Sequence, residues 1–336
     1  MKAWEIVSAN GVDGLALNER PSPVAGPGEV IVRVRASSVN YRDLATIEDP
    51  EPRGIKYPTI PNSDGAGEII AVGSGVSRFS AGDRVMGCFF QNWPSGGISA
   101  SAMGSAMGGA IDGVLAEEVV LKEDAIVRIP DHLSYEEAAT LPCAAVTAWN
   151  ALFGQGSVMA GETVLLLGTG GVSVFAQQFA TMAGAKTIVT SSSNDKLQRV
   201  ASMGAWQIIN YRQNPDWEKT VLEMTDGHGV DRVVEVGGPG TLQKSISAAR
   251  VGGSISLIGI LTGAGGQIVP TDIMRKSLNI RGIYVGSREM FEDMARAIDT
   301  HKLKPVIDMV VSFEDAPDAY RHMRAAGHFG KIVISV

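Results

Sequence analysis

The run Gly168-Thr169-Gly170-Gly171-Val172-Ser173 is the first stretch whose residue types and spacing could do chemistry. It follows the apolar segment Val164-Leu165-Leu166-Leu167 and opens a stretch with helical spacing. A glycine turn between a strand and a helix suits a dinucleotide. The first glycine permits a tight bend, the second lets the backbone approach a pyrophosphate, and the amides at the helix N-terminus face its negative charge. Gly168, Gly170, Gly171 and Val172 are the expected contacts. Ser173 stands where the strict pattern has a third glycine, and taken alone the run also reads as a structural turn.

The end of the next strand bears on which dinucleotide. An NAD enzyme often places Asp or Glu there to hold the ribose 2′-hydroxyl. Here the chain runs Thr190-Ser191-Ser192-Ser193-Asn194-Asp195-Lys196, hydroxyl-rich at the strand terminus, with Tyr211 just after the third strand. Ser191, Ser192, Lys196 and Tyr211 suit a 2′-phosphate, so NADPH (NADP⁺) is the expected cofactor. Ser193 or Asn194 would also cap the following helix, and both readings can hold together.

These residues need a scaffold, and the pattern around them predicts one. Thr163 to Leu167, Thr187 to Thr190, Gln207 to Ile209, Arg232 to Val236, Ser254 to Ile258 and Ile280 to Val285 read as six short strands. Helical stretches such as Val174 to Met182 and Asp195 to Met203 lie between most of them. Alternation of this kind argues a parallel, doubly wound sheet. Ser134-Tyr135-Glu136-Glu137 reads as a capping-box helix start. The first third is different. Val30 to Arg35, Gly67 to Val72 and the turn Gly82-Asp83-Arg84-Val85 read as strands separated by Gly, Pro and Asp, the pattern of a small antiparallel barrel or sandwich. Asn92 to Gly113, rich in Gly, Ser, Ala and Met, reads as a long loop, either a mobile surface segment or a flap. Beyond Ser287 the sequence predicts a helix over Met290 to Thr300 and a closing strand over Lys331 to Val336.

Composition narrows the class. The chain has 336 residues, 45% apolar and 19% charged, with a net charge of −7. That is too apolar for disorder, and without a basic run it argues against a nucleic-acid partner. Two cysteines, Cys88 and Cys143, make no disulfide framework, so a reducing, cytoplasmic setting is expected. Met1 to Glu5 has no apolar signal core. Thr163 to Ala185 carries no formal charge, but its glycines and glutamines fit a strand, a turn and a buried helix better than a membrane span.

The chain resembles the medium-chain dehydrogenase/reductase superfamily, and within it the zinc-free quinone oxidoreductase-like branch. The resemblance rests on Ser38-Val39-Asn40-Tyr41-Arg42-Asp43-Leu44, Pro61 to Glu68, Gly82-Asp83-Arg84-Val85, Gly113-Val114-Leu115-Ala116-Glu117, the glycine turn, Gly229-Val230-Asp231 and Phe329-Gly330-Lys331. It implies an α/β protein in two domains. One is a GroES-like β-rich catalytic domain over 1–143 and 286–336; the other is a doubly wound Rossmann domain with a six-stranded parallel sheet over 144–285. It also implies an active site in the cleft between them, a cofactor contact at Phe329, and a homodimer.

By the same resemblance, zinc-dependent relatives carry a Cys, a His–Glu pair and a second Cys where this chain has Asn40, Ser63-Asp64 and Cys143. One thiolate and one carboxylate are too few for a tetrahedral catalytic zinc, and the four-Cys structural lobe has no counterpart, so no metal is expected. Cys143 then reads as a small buried hydrophobe. The resemblance implies catalytic roles for Asn40, Tyr41 and Thr147: Asn40 and Tyr41 line the substrate cleft, and Thr147 lies near the nicotinamide. Tyr41 also reads as a packing tyrosine, Thr147 as a helix threonine bonded to its own backbone, and Asp43 and Asp64 as loop-holding residues. Phe89, Phe90 and Trp93 read as a pocket wall or as core, and the five histidines mostly as surface. The expected function is zinc-independent, NADPH-dependent reduction of quinones, enones or related small carbonyl compounds. Two alternatives stand beside it: a metal-free alcohol dehydrogenase, and a non-catalytic NADPH-binding protein on the same fold.

Overall fold

The structure is a computed structural model describing residues 1–154, 156–263 and 265–336. The chain divides into two compact units, Met1–Val146 with Val285–Val336, and Thr147–Tyr284. In chain order, the first unit contributes β1 (Lys2–Ile6), β2 (Leu15–Glu19), β3 (Glu29–Val39), β4 (Asp64–Val72), β5 (Arg84–Gly87), β6 (Glu118–Lys122) and β7 (Ile126–Arg128). The second contributes β8 (Thr163–Leu167), β9 (Lys186–Ser191), β10 (Gln207–Asn210), β11 (Val230–Glu235), β12 (Ala249–Leu257) and β13 (Asn279–Gly282). The chain then returns to the first unit as β14 (Ile307–Ser312) and β15 (Lys331–Ser335).

The second unit is one parallel sheet of six strands in the order β10-β9-β8-β11-β12-β13. Helices Gly171–Met182, Asn194–Ser202, Trp217–Met224 and Pro239–Ala248 form the crossovers. Leu165, Ile188, Val233 and Ile255 are buried in its core. A parallel sheet is covered on both faces, which is why its strands read as continuous apolar runs. The order reverses between β8 and β11, and ligands of such sheets bind at the carboxyl ends of the strands at that switch point. Thr163 to Ala185 is β8, the glycine turn and a twelve-residue helix. Among the described residues no helix is long and apolar enough to cross a membrane.

In the first unit the sheet order is β14-β15-β3-β4-β5-β7, with β6 also paired to β3. Every pairing is antiparallel except β14 with β15. Val30, Val32 and Val34 of β3 alternate into a core shared with Ile332 and Ile334 of β15. The central strand β3 therefore lies between β15, from the far end of the chain, and β4. β14 and the helix Ala316–Arg324 were not predicted. β14 is an edge strand with no clean alternation of burial, and the helix carries Pro317 in its first turn and three basic residues in its last.

Ser134 makes the expected capping box, donating from its amide to Glu137 Oε2 (2.8 Å) and accepting from the Glu137 amide (3.2 Å). The segment 92–113 departs from a free excursion. It holds a short helix, Ala100–Met103, and buries Ala106 and Met107. Arg42 ties it down by donating from Nη1 to Met107 O (2.7 Å) and Gly108 O (3.1 Å). Phe89, Phe90 and Trp93 pack edge to face, with centroids 4.6 and 5.7 Å apart, as buried core. His228 and His301 are exposed, whereas His132, His322 and His328 are half-buried.

Candidate active site

Two groups of polar residues stand out, one in each unit. In the second unit, Gly168 follows β8 with φ +77°, a conformation that a side chain would strain, and its amide donates to Thr190 O (2.9 Å). Gly170 is the N-cap of the helix Gly171–Met182, and Val172 lies in its first turn. Ser173 fills the third-glycine position without strain on hydrogen bonding: it is buried, and its hydroxyl donates to Leu167 O at the end of β8 (2.7 Å).

Ser191 ends β9 opposite Asn210 of β10, and the Tyr211 amide donates to Ser191 O (3.1 Å). Ser191, Ser192, Lys196 and Tyr211 thus gather around the carboxyl ends of β9 and β10. Ser193 caps the helix Asn194–Ser202, accepting from the Lys196 amide (3.4 Å). Asn194 serves elsewhere, accepting from Asn210 Nδ2 (2.7 Å). Arg212, exposed next to Tyr211, is a further cation here that the sequence reading passed over.

Glu235 was also missed. It ends β11 at the switch point with its carboxylate fully buried. It accepts from the amides of Gly237 (2.8 Å) and Gly238 (3.0 Å), from Thr241 Oγ1 (2.6 Å) and from the Ser245 hydroxyl. An acid just after an apolar strand and before Gly-Gly-Pro is the only signal the sequence carries for it. Removing an acceptor that serves several buried donors costs about 1–3 kcal/mol for each one left unmade. Glu235→Ala is expected to lower unfolding stability by about 3 kcal/mol or more. A urea melt checks this, and a loss under ~0.5 kcal/mol, the size of an ordinary surface substitution, would sink it.

In the first unit, three adjacent strand ends bring a buried polar nest together. Ile332 of β15 pairs with Val39 of β3, which places Lys331 beside Asn40, and Ser38 pairs with Asp64 of β4. Lys331 is 3% exposed. Its ammonium donates to Val39 O (2.9 Å) and Asn40 Oδ1 (2.5 Å), and lies 4.0 Å from Asp64 Oδ2. Asp64 accepts from the Ser63 hydroxyl (2.7 Å) and the Cys143 amide (3.1 Å), with Ser38 Oγ at 3.5 Å. That Cys143 amide is one of the donors left open at a helix start, in a π turn over Leu141–Ala145. Burial pushes the Asp64 carboxyl above its ordinary range, and the Lys331 ammonium works against that shift. Burial, reinforced by Asp64, raises the Cys143 thiol, and burial pushes Cys88 up to about 12. Cys143 is half-buried rather than fully enclosed. Asp43 accepts from the Asn40 amide (2.8 Å), holding the start of the helix Tyr41–Glu48.

A second layer fixes the loop ahead of β4. Asn62 sits at φ +67°, a region asparagine tolerates better than most residues. Tyr320 donates to its Oδ1 (2.5 Å), and its Nδ2 donates to Ser37 Oγ (3.0 Å). Gly113 must be glycine here, because a Cβ would come within 2.1 Å of Asn62 O.

Asn40 is 8% exposed; among the described residues its Nδ2 completes no hydrogen bond of good geometry, and it approaches the Asp64 carboxylate, whose charged form it favours. Tyr41 opens its helix 48% exposed. Thr147 is buried at the second position of the helix Val146–Phe153, in the other unit from Asn40. Phe329 is buried just before Gly330 in the first unit. Among the described residues no group of three or more His, Cys, Asp and Glu could hold a metal ion.

Two family models match: an alcohol dehydrogenase GroES-like domain over residues 26–131 and a zinc-binding dehydrogenase over 171–300. A zinc-type alcohol dehydrogenase-like protein of Schizosaccharomyces pombe is 44% identical over 334 residues, 97% of this chain and 96% of its own. The chain belongs to the medium-chain dehydrogenase/reductase family. It is an NAD(P)-dependent oxidoreductase with the GroES-like and Rossmann domains of that family. Among other members, an acryloyl-coenzyme A reductase of Sulfurisphaera tokodaii is 28% identical, with 99% of each chain covered. The crystal structure of an NAD-dependent alcohol dehydrogenase superposes with a TM-score of 0.91 at 32% identity, covering 100% of both chains. A quinone oxidoreductase of Pseudomonas syringae superposes at 0.84 with 27% identity, covering 100% of this chain and 99% of its own.

Proposed function

We propose that this dehydrogenase/reductase is a zinc-independent, NADPH-dependent reductase of quinones, enones and related small carbonyl compounds. The observation that carries the reading is Asn40, a buried amide whose Nδ2 approaches Asp64 but completes no hydrogen bond of good geometry. An orphan donor of this kind costs about 1–3 kcal/mol, and an oxygen of the substrate is the acceptor that would recover it. Asn40 thus stabilises charge growing on that oxygen, and the exposed Tyr41 phenol is a second donor beside it in sequence.

The nest does not fit zinc. Asn40 Oδ1 is committed to Lys331 and the Ser63 hydroxyl donates to Asp64, which leaves the Cys143 thiol and the Asp64 carboxylate, too few for a tetrahedral zinc. A divalent cation among them would also face the Lys331 ammonium. The glycine turn and the hydroxyl-rich ends of β9 and β10 fit a nicotinamide dinucleotide, with Gly168, Gly170 and Gly171 toward its pyrophosphate and Ser191, Ser192, Lys196 and Tyr211 toward a 2′-phosphate. When bound, the cofactor supplies the hydride.

Two of the relatives are named for quinone and acryloyl-CoA reduction, both conjugated acceptors. In such acceptors the new charge is delocalised, so neutral donors suffice. A simple ketone concentrates it on one oxygen, where the loss of a metal is felt more. The alcohol dehydrogenase neighbour favours a second reading, the carbonyl–alcohol couple without metal.

The test is NADPH oxidation against a panel of quinones, enones and aldehydes, and NADP⁺ reduction with simple alcohols, together with elemental analysis. Turnover is expected to be fastest on conjugated acceptors, with no stoichiometric zinc and no loss on chelation. One zinc per chain with activity lost to a chelator would overturn the metal-free reading. Alcohols as the best substrates would favour the second, and no turnover on any of them would favour a binding protein.

A further inference from the structure

Lys331 is the feature that the reaction as described leaves unused. Its ammonium is enclosed, and a lysine is rarely so unless paired. Asp64 is not its only partner, and not its nearest: the closer contacts are Val39 O and Asn40 Oδ1. A lysine ammonium can only donate, so the Asn40 group facing it must be the carbonyl oxygen. That settles which way the amide points. The opposite face of the same amide is Nδ2, a buried donor that completes no hydrogen bond of good geometry and approaches only the Asp64 carboxylate.

We propose that Lys331 is a positioning residue for the reduction, holding the Asn40 amide with Oδ1 inward so that Nδ2 is presented, and polarised, as the donor to the substrate oxygen. The inference rests on Asn40 being that donor. A charge on the carbonyl side of an amide draws electron density away from its N–H, and hydrogen bonds involving ionised groups are the stronger ones. Hydrogen bonds in series strengthen one another in the same direction. Without Lys331 the oxygen loses the contact that fixes it, and only the approach of Nδ2 to the Asp64 carboxylate is left to orient the amide. It could turn Nδ2 toward the Val39 carbonyl that Lys331 now occupies. The role is geometrically specific because Asn40 and Lys331 meet through strand register, β15 against β3, rather than through a flexible loop.

The test is a double-mutant cycle on kcat with the best acceptor from the quinone and enone panel, using Lys331→Met, Asn40→Ala and the pair. Lys331→Met is expected to lower kcat about 10- to 100-fold while the KM for NADPH stays within about threefold, and to have less than about a threefold effect once Asn40 is alanine. An equal loss in both backgrounds overturns the relay while leaving Asn40 as the donor. An unchanged kcat in Lys331→Met overturns it too. Full activity in Asn40→Ala instead removes the reading on which the inference rests. Lys331→Met leaves Asp64 buried and unneutralised, and if it fails to fold the cycle is run in Asp64→Asn, with that variant as its own reference.

Discussion

Asn40→Ala is expected to lower kcat on the best enone or quinone about 10²-fold or more, and to lower unfolding stability by about 1–3 kcal/mol. The magnitude is that of removing one preorganised donor aimed at a developing negative charge. The argument for so large an effect is that the donor costs the reaction little to use. Asn40 follows β3 and caps the helix Tyr41–Glu48, its backbone amide is held by Asp43, and its oxygen is held by Lys331. Nothing needs to reorient as charge builds. The loss of stability comes from the buried Lys331 ammonium, which is left short of one acceptor, so the kinetics are read below the variant's own Tm. Tyr41→Phe is expected to matter less. Its side chain is half exposed, so water competes for the contacts of its hydroxyl. Steady-state kinetics on both variants decide the roles. If both keep wild-type kcat, these residues only line the pocket, and charge on oxygen is met elsewhere.

The second large effect concerns the cofactor. The wild-type protein is expected to bind NADPH more tightly than NADH, and Lys196→Ala to lose NADPH affinity roughly 10- to 150-fold, with NADH little changed. A charge-assisted contact to phosphate is worth about 1.5–3 kcal/mol, and each 1.4 kcal/mol is a factor of ten. Ser191 carries no charge where an acid would repel a 2′-phosphate, and its backbone is fixed by the Tyr211 amide. Lys196 lies in the first turn of the helix capped by Ser193, an end of a helix that itself favours anions. Asp195 beside it is exposed, where its opposing charge is largely screened. Fluorescence titration with both cofactors measures the preference. Equal or tighter binding of NADH by the wild type would withdraw the assignment. Retention of NADPH affinity in Lys196→Ala would instead move the contact to a neighbour, Arg212 being the nearest cation in sequence to Tyr211.

What the sequence determined by itself is what local spacing encodes. All six strands of the Rossmann sheet and the helices beginning near Val174, Asp195 and Met290 were legible to within a few residues at most ends, because each carries its own periodicity and punctuation. The glycine turn was legible because its strand, bend and helix are contiguous, and so was the capping box at Ser134. The β-rich character of the first third could be read from its strand and turn residues, but β14 could not, and the helix Ala316–Arg324 was overlooked. An edge strand needs no alternation, whereas that helix does carry its signal, with Ala316, Ala319, Tyr320 and Met323 at i, i+3, i+4 and i+7.

Only the tertiary structure decided how the polar residues of the first unit are used. Lys331 and Asn40 are 291 residues apart, and Tyr320 and Asn62 are 258 apart. Nothing in either neighbourhood announces the other, since Lys331 opens an apolar strand and would read as a surface lysine. The pairing of β15 with β3 brings them into register and excludes water. Exclusion of water then makes the orientation of one amide matter, because a buried donor has no solvent to turn to. The residue types at Asn40, Ser63, Asp64 and Cys143 were readable from the chain. Which of them is held, which is spent on a neighbour and which is left with a donor to offer depends on the register of three strands.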